Sequence, residues 1–192
     1  VWPMLALAAV VIAPFAASAQ RGFDGGVGGA DSGTVVGPSL YFLSTRAEAY
    51  VERTGGPSIP FQSRDDDAQF VTIPFPFKFY ETDYTEVSVG TNGYLSFSHD
   101  ARSLGNDTFP SSNFQGGPYG VIAPFWDDLI NPTATTYLEG TAPSRVFIIQ
   151  WSNVDRCCNP SGRAQLNFQI HLFEGAAGRF EIHYGPDNGG GG

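Results

Sequence analysis

Alternation of apolar and polar residues fixes where a strand can pair, and here it leaves little freedom. Val87 and Val89 precede Thr91-Asn92-Gly93, while Leu95 and Phe97 follow it. Successive strand residues point to opposite faces, so a one-residue slip turns a whole apolar set outward. A two-residue Asn92-Gly93 turn would oppose Val89 with Ser96 and split the apolar residues between faces. A three-residue loop opposes Val89 with Leu95 and Val87 with Phe97. The expected hairpin is therefore a type I turn with Gly93 in the left-handed region, forming a bulge. The same reasoning applies to the five-residue loop Glu174-Gly175-Ala176-Ala177-Gly178, which opposes Leu172 with Phe180 and Ile170 with Ile182. Leu166, Phe168, Ile170 and Leu172 then face inward. Gln165, Asn167, Gln169 and His171 face outward, as a solvated row.

Shorter signals fill in the rest. Phe70–Ile73 reads as a strand, and Pro74-Phe75-Pro76-Phe77 as an edge or a bend, since proline cannot donate to a ladder. Val121–Trp126 and Thr135–Glu139 are further strands. Arg145–Trp151 is apolar on both faces and is expected to be central. Leu40–Leu43 is a candidate strand, and Ala47–Val51 a helical turn or the next strand. Phenylalanine (16), glycine (24) and proline (14) are abundant, and only 15% of residues are charged, which favours short strands and tight loops. The fold class is all-β: an antiparallel two-sheet β-sandwich with long loops, spanning 39–187 with a core at 65–185.

The flanks read differently. Val1–Phe15 is almost wholly apolar and Ala17-Ser18-Ala19 is a cleavage signal, so 1–19 reads as a signal peptide truncated at its N-terminus and excluded from the fold. The run is short for a membrane span, and no other follows. Residues 20–38 and 188–192 are glycine-rich linkers. Export is the expectation. A net charge of −9 with 10 scattered Lys and Arg argues against nucleic acid as a partner.

Asp127 and Asp128 are candidate Ca²⁺ ligands, joined by Asp65, Asp66 or Asp67. Calcium collects carboxylate and carbonyl oxygens from loops. The alternative is that these are turn residues accepting backbone N–H groups. The same carboxylates could make a glycosidase pair only at a defined separation across a cleft. His171 falls opposite Glu181 and His183 opposite Gln169, so the two histidines are diagonal neighbours. They read as a solvated face or, less favoured, a metal pair. His99 sits alone. Asn106-Asp107-Thr108 is a glycosylation sequon. Cys157 and Cys158 are adjacent, which leaves a strained vicinal disulfide, two thiols, or bonds to another chain. Trp126 and Trp151 lie in apolar runs and read as core, whereas Tyr80, Tyr84, Tyr119 and Tyr137 are candidates for exposed contact. No nucleophile elbow, H-E-x-x-H or phosphate-binding glycine motif occurs, so no catalytic residue is assigned.

Three segments together carry a resemblance. Pro74–Tyr80, Val87–Phe97 with its Thr-Asn-Gly turn, and Ile122-Ala123-Pro124-Phe125-Trp126-Asp127-Asp128 resemble the nidogen-like (NIDO) domain family, with later strands matching in order over about 65–185. The resemblance implies an extracellular, non-catalytic β-rich module of matrix, mucin-type and adhesion proteins, also found in large exported bacterial proteins. The leader is of bacterial style. No cysteine-rich neighbour of the animal type is visible. The expected function is an interaction or adhesion module of a larger secreted or cell-surface protein. Its partner would be an extracellular protein or glycan, bound through loops at 100–119 and 131–142. The alternative is a carbohydrate-binding accessory module of an exported enzyme, with Ca²⁺ as the one cofactor considered.

Overall fold

A computed structural model describes residues 8–15, 40–80, 82–98, 100–103, 120–157, 165–175 and 178–186. Among them the chain is all-β, in two antiparallel sheets. The smaller sheet has β3 (Ala68–Phe79), β4 (Thr82–Gly90), β5 (Leu95–Ser96) and β6 (Val121–Ile122), in that spatial order. The larger sheet runs β2 (Leu40–Ala47), β1 (Ala8–Phe15), β11 (Phe180–Tyr184), β10 (Leu166–Phe173), β9 (Val146–Arg156) and β7 (Leu129–Ile130). There β8 (Thr133–Glu139) also pairs with β9.

Both hairpin registers follow the phase argument. Val89 opposes Leu95 across the Thr91-Asn92-Gly93 loop, and Gly93 has φ +76°. Leu172 opposes Phe180 and Ile170 opposes Ile182. These pairings put Phe168, Ile170, Leu172, Phe180 and Ile182 on one face, with Phe147, Ile149 and Trp151 of β9. Against them pack Ile73, Phe75, Phe77, Phe79, Val87, Val89 and Leu95 of the smaller sheet. Burying each such side chain is worth roughly 1.5–3 kcal/mol, so this layer is the main source of stability. Trp151 is fully buried, and its indole N–H donates to the Gly90 carbonyl (3.0 Å), bonding one sheet to the other. β9 is hydrogen-bonded along both edges and buried on both faces, as its two-sided apolar pattern predicts. β3 is an edge strand whose ladder is interrupted between Thr72 and Phe77, so Pro74 and Pro76 fall where no amide is required.

Four expectations need correction. The strand expected over Val121–Trp126 ends at Ile122, because the chain bends at Pro124 and Phe125 to cap the adjacent hairpin. Within 131–142, expected to carry binding loops, the strand expected over Thr135–Glu139 forms and extends back to Thr133 as β8, paired along β9, which leaves only the ends of the segment as loop. Residues 1–19 were left outside the fold, yet Ala8–Phe15 pairs with both β2 and β11. An apolar run rich in valine and isoleucine has strand propensity wherever an open edge is offered. Finally, the outward row of β10 is not solvated. Asn167, Gln169 and His171 are all buried. The chain after β2 crosses this face, and the polar row satisfies its backbone. Gln169 Nε2 donates to the Val51 carbonyl (2.9 Å), Gln150 Oε1 accepts from the Arg53 N–H (2.9 Å), and Gln150 Nε2 donates to the Arg53 carbonyl (3.0 Å).

Candidate functional site

The hairpin turn and the Ile122–Asp128 segment, far apart in sequence, form one corner. Gly90 N–H donates to the Tyr94 carbonyl (3.0 Å) and closes the three-residue loop. Gly93 must be glycine twice over, for its positive φ and because a methyl group there would run into the Phe125 carbonyl oxygen. Thr91 N–H donates to the Asp67 carbonyl (2.8 Å), and its hydroxyl accepts the Asp67 N–H (3.0 Å). Asn92 has no exposed surface. Its Oδ1 accepts the Leu129 N–H (3.0 Å), while Nδ2 donates to Asp66 Oδ1 (2.9 Å) and to the Arg102 carbonyl (3.1 Å). Both amide donors are therefore used, and one side chain joins three segments. Tyr94 and Trp126 pack together with ring centroids 5.3 Å apart, and both bond to Ser103.

This corner sorts the aspartates. Asp65, Asp66 and Asp128 each bring a carboxylate oxygen within 4.8 Å of the others, with Asp65 and Asp66 exposed and Asp128 half-buried. Partial burial and the nearby Asp65, Asp66 and Asp127 push the Asp128 carboxyl above its ordinary range. Asp127 Oδ1 accepts the Asp128 N–H (2.9 Å), an ordinary turn bond. Asp67 is diverted inward. Its carboxylate accepts N–H groups from Gln62 (2.6 Å), Ser63 (3.1 Å) and Ala68 (2.8 Å). Burial works to raise its pKa, but these bonds and Arg102 win and hold it below the ordinary value. Chemically, the corner offers three converging carboxylates to a hard cation, which needs 6–8 oxygens in all. Beside it lies a cavity of about 130 Å³ lined by Phe125, Arg156, Phe168 and Tyr184, with the Arg156 guanidinium 5.1 Å above the Phe125 ring. Sequence reading missed this cavity, because Phe125 and Tyr184 read as strand interior.

A second polar cluster lies on the covered face of the larger sheet. His171 opposes Glu181, and Gln169 opposes His183. The imidazoles of His171 and His183 stack with centroids 4.0 Å apart, so the diagonal pair does meet. They are buried rather than solvated, at 7% and 8% exposure. Glu181 lies against His183 Nε2 (3.0 Å) and receives Arg46 on both oxygens (3.1 and 2.9 Å) and Arg179 on one. Burial alone would raise Glu181, but these three partners bring it down to about 2. Burial, with help from His183 and Arg53, lowers His171 to about 3.

The remaining candidates separate cleanly. Trp126 and Trp151 are buried core residues. Tyr80 is exposed, Tyr84 packs partly buried against the core, and the Tyr137 hydroxyl donates to the Arg53 carbonyl (2.8 Å). Cys157 is disulfide-bonded and its N–H donates to the Asp128 carbonyl (2.7 Å). Cys158, His99, Tyr119, the sequon at 106–108, both glycine linkers and most of the 100–119 loop lie outside the described residues.

Comparison with known proteins adds one finding. No curated protein and no solved structure matches the chain. Among the described residues, no helix is long and apolar enough to cross a membrane. The family described as "NIDO related" matches residues 40–192, from the first residue of β2 through the whole corner. Domains of this kind are typically extracellular and generally non-enzymatic. With most of its length covered by that match, the chain belongs to the NIDO-related family.

Proposed function

We propose that this chain is an extracellular, non-catalytic interaction module that presents the Thr91–Asp128 corner to a protein or glycan partner. The observation that carries this reading is the division of labour at that corner. Thr91, Asn92 and Asp67 spend most of their polar groups on backbone partners, and Asn92 also holds the Asp66 carboxylate, which makes a rigid base. Asp65 and Asp66 are left exposed on it beside Asp128. A rigid base with exposed polar groups suits recognition, because little conformational freedom is lost on binding. Export would bring the module to its partner.

The test is saturable binding of the purified chain to arrays of extracellular proteins and polysaccharides, repeated with Asp65→Asn/Asp66→Asn. Binding that the double variant weakens at least tenfold supports the corner. Equal binding by both chains removes the corner from the reading.

A second reading is favoured by the convergence of Asp65, Asp66 and Asp128: a Ca²⁺-dependent carbohydrate module attached to an exported enzyme. Calcium bound only by the native chain would raise its melting temperature. The Asp66→Asn/Asp128→Asn variant should lose that rise. Absence of any calcium shift together with no retention on polysaccharide would end this reading.

A further inference from the structure

We propose that His171, Glu181 and His183 form a binding site for a divalent transition-metal ion, with zinc as the probe. The register of β10 and β11 puts the three side chains at adjacent positions on one face. His171 stands directly across from Glu181, and His183 is two residues along the same strand. One nitrogen from each imidazole and one Glu181 carboxylate oxygen all lie within 4.8 Å of one another. Two neutral imidazoles and one carboxylate are a donor set that zinc accepts, with a water completing the tetrahedron. Calcium and magnesium, which demand oxygen, are disfavoured by the same set.

The geometry needs modest adjustment. Bonds of about 2.0–2.2 Å place neighbouring donors of a tetrahedral ion roughly 3.4 Å apart. His183 Nε2 and Glu181 Oε2 are already 3.0 Å apart, so the ion would take the place of their hydrogen bond. The remaining contraction is within reach of side-chain torsions, since the backbone pairing is fixed by the sheet.

The surroundings orient the donors. His171 Nε2 lies 2.9 Å from Gln169 Oε1, and Glu181 is held by Arg46 and Arg179. Outer partners of this kind set the ring orientation and keep a ligating carboxylate ionised. Arg46 and Arg179 also oppose a dication, so the affinity is moderate rather than tight. Arg46 is 43% exposed, and its swing away from Glu181 opens the route to solvent. Such an ion would cross-link β10 to β11 on the face opposite the main core.

The experiment is thermal unfolding of the chelator-treated full chain at neutral pH, titrated with zinc. A large excess over the dissociation constant should raise the midpoint by roughly 5 °C. The shift should be lost in His171→Asn/His183→Asn and retained in Asp66→Asn/Asp128→Asn, which removes the competing carboxylates. No zinc shift in the parent chain overturns the proposal. So does a shift that survives in the double histidine variant. Should that variant fail to fold, imidazole ¹⁵N resonances of the parent decide. Zinc should move two of the chain's three histidines and spare His99; movement of His99 alone, or of none, overturns the assignment.

Discussion

The two polar clusters differ in what their side chains hold. At the hairpin corner, Asn92, Thr91 and Asp67 bond mostly to backbone groups, those of Asn92 and Thr91 in other segments and those of Asp67 in its own loop. Those partners are fixed in number and place by the chain path, and a lost side chain leaves a buried amide or carbonyl orphaned. On the covered face, His171, Glu181 and His183 bond to other side chains, namely Gln169, Arg46 and Arg179. Side chains can rotate and exchange partners, and several of these carry charge. The first cluster is therefore suited to specifying the fold and the second to responding to conditions, even though both are buried.

Stability measurements can break that contrast. The largest effect is expected for Asn92→Ala, which orphans the Leu129 N–H and the Arg102 carbonyl. A cost of about 4 kcal/mol in urea unfolding combines the unsatisfied buried Leu129 N–H with the cavity left by a fully buried side chain. A cost below about 1 kcal/mol would mean that water replaces the side chain and the corner is not a fixed base. Next is Gly93→Ala, at about 3 kcal/mol for a left-handed residue that also collides with the Phe125 carbonyl. Gly55→Ala is its control. Gly55 has a similar φ of +79° but open space around it, so about 1 kcal/mol is expected. Equal costs at the two glycines would show that backbone conformation, not corner packing, sets the penalty.

The pH response falls between the two glycine effects. His171 titrates near 3 in the folded metal-free chain and at 6.5 when unfolded. The unfolded state then binds the extra proton first, so stability is complete above 6.5 and lost as pH falls toward 3. Between pH 7 and 5 that loss amounts to about 2 kcal/mol. Glu181, also depressed, adds in the same direction below its unfolded value of 4.5. At the corner Asp128 has the opposite sign. Its raised pKa favours the folded state as pH falls and withdraws that contribution as pH rises through the folded value. Urea midpoints of the parent and His171→Gln at pH 7 and pH 5 check the assignment. The variant should be nearly flat over that interval, and an acid limb as steep as the parent's would remove His171 as its origin.

The sequence exposed the parts that rest on local phase. Val89 against Leu95 and Leu172 against Phe180 follow from alternation and loop length alone, because a wrong register would turn valine, leucine and phenylalanine to solvent. Alternation cannot reveal what covers the other face. Gln169 and His171 looked solvated because polar residues usually are. Their burial depends on Tyr50–Arg53 crossing more than a hundred residues away in sequence, with no periodic signal of its own. The corner was legible as motifs but not as an arrangement. Asp65, Asp66 and Asp128 converge, and Asp67 turns away, because Asn92 ties together segments 26 and 37 residues distant.

The bond from the Trp151 indole to Gly90 has an optical consequence. Among the described residues the tryptophans are two: Trp151 between the sheets, and Trp126 in the separate small cluster with Ala68, Tyr94 and Ala101 at the corner. Each indole N–H is held by a backbone carbonyl, that of Gly90 or Ser103. The molecule thus carries one fluorophore for parting of its layers and another for loosening of its hairpin. With Trp2 replaced as well, changing either one to phenylalanine would let emission from the other follow its own half of the structure as the chain unfolds.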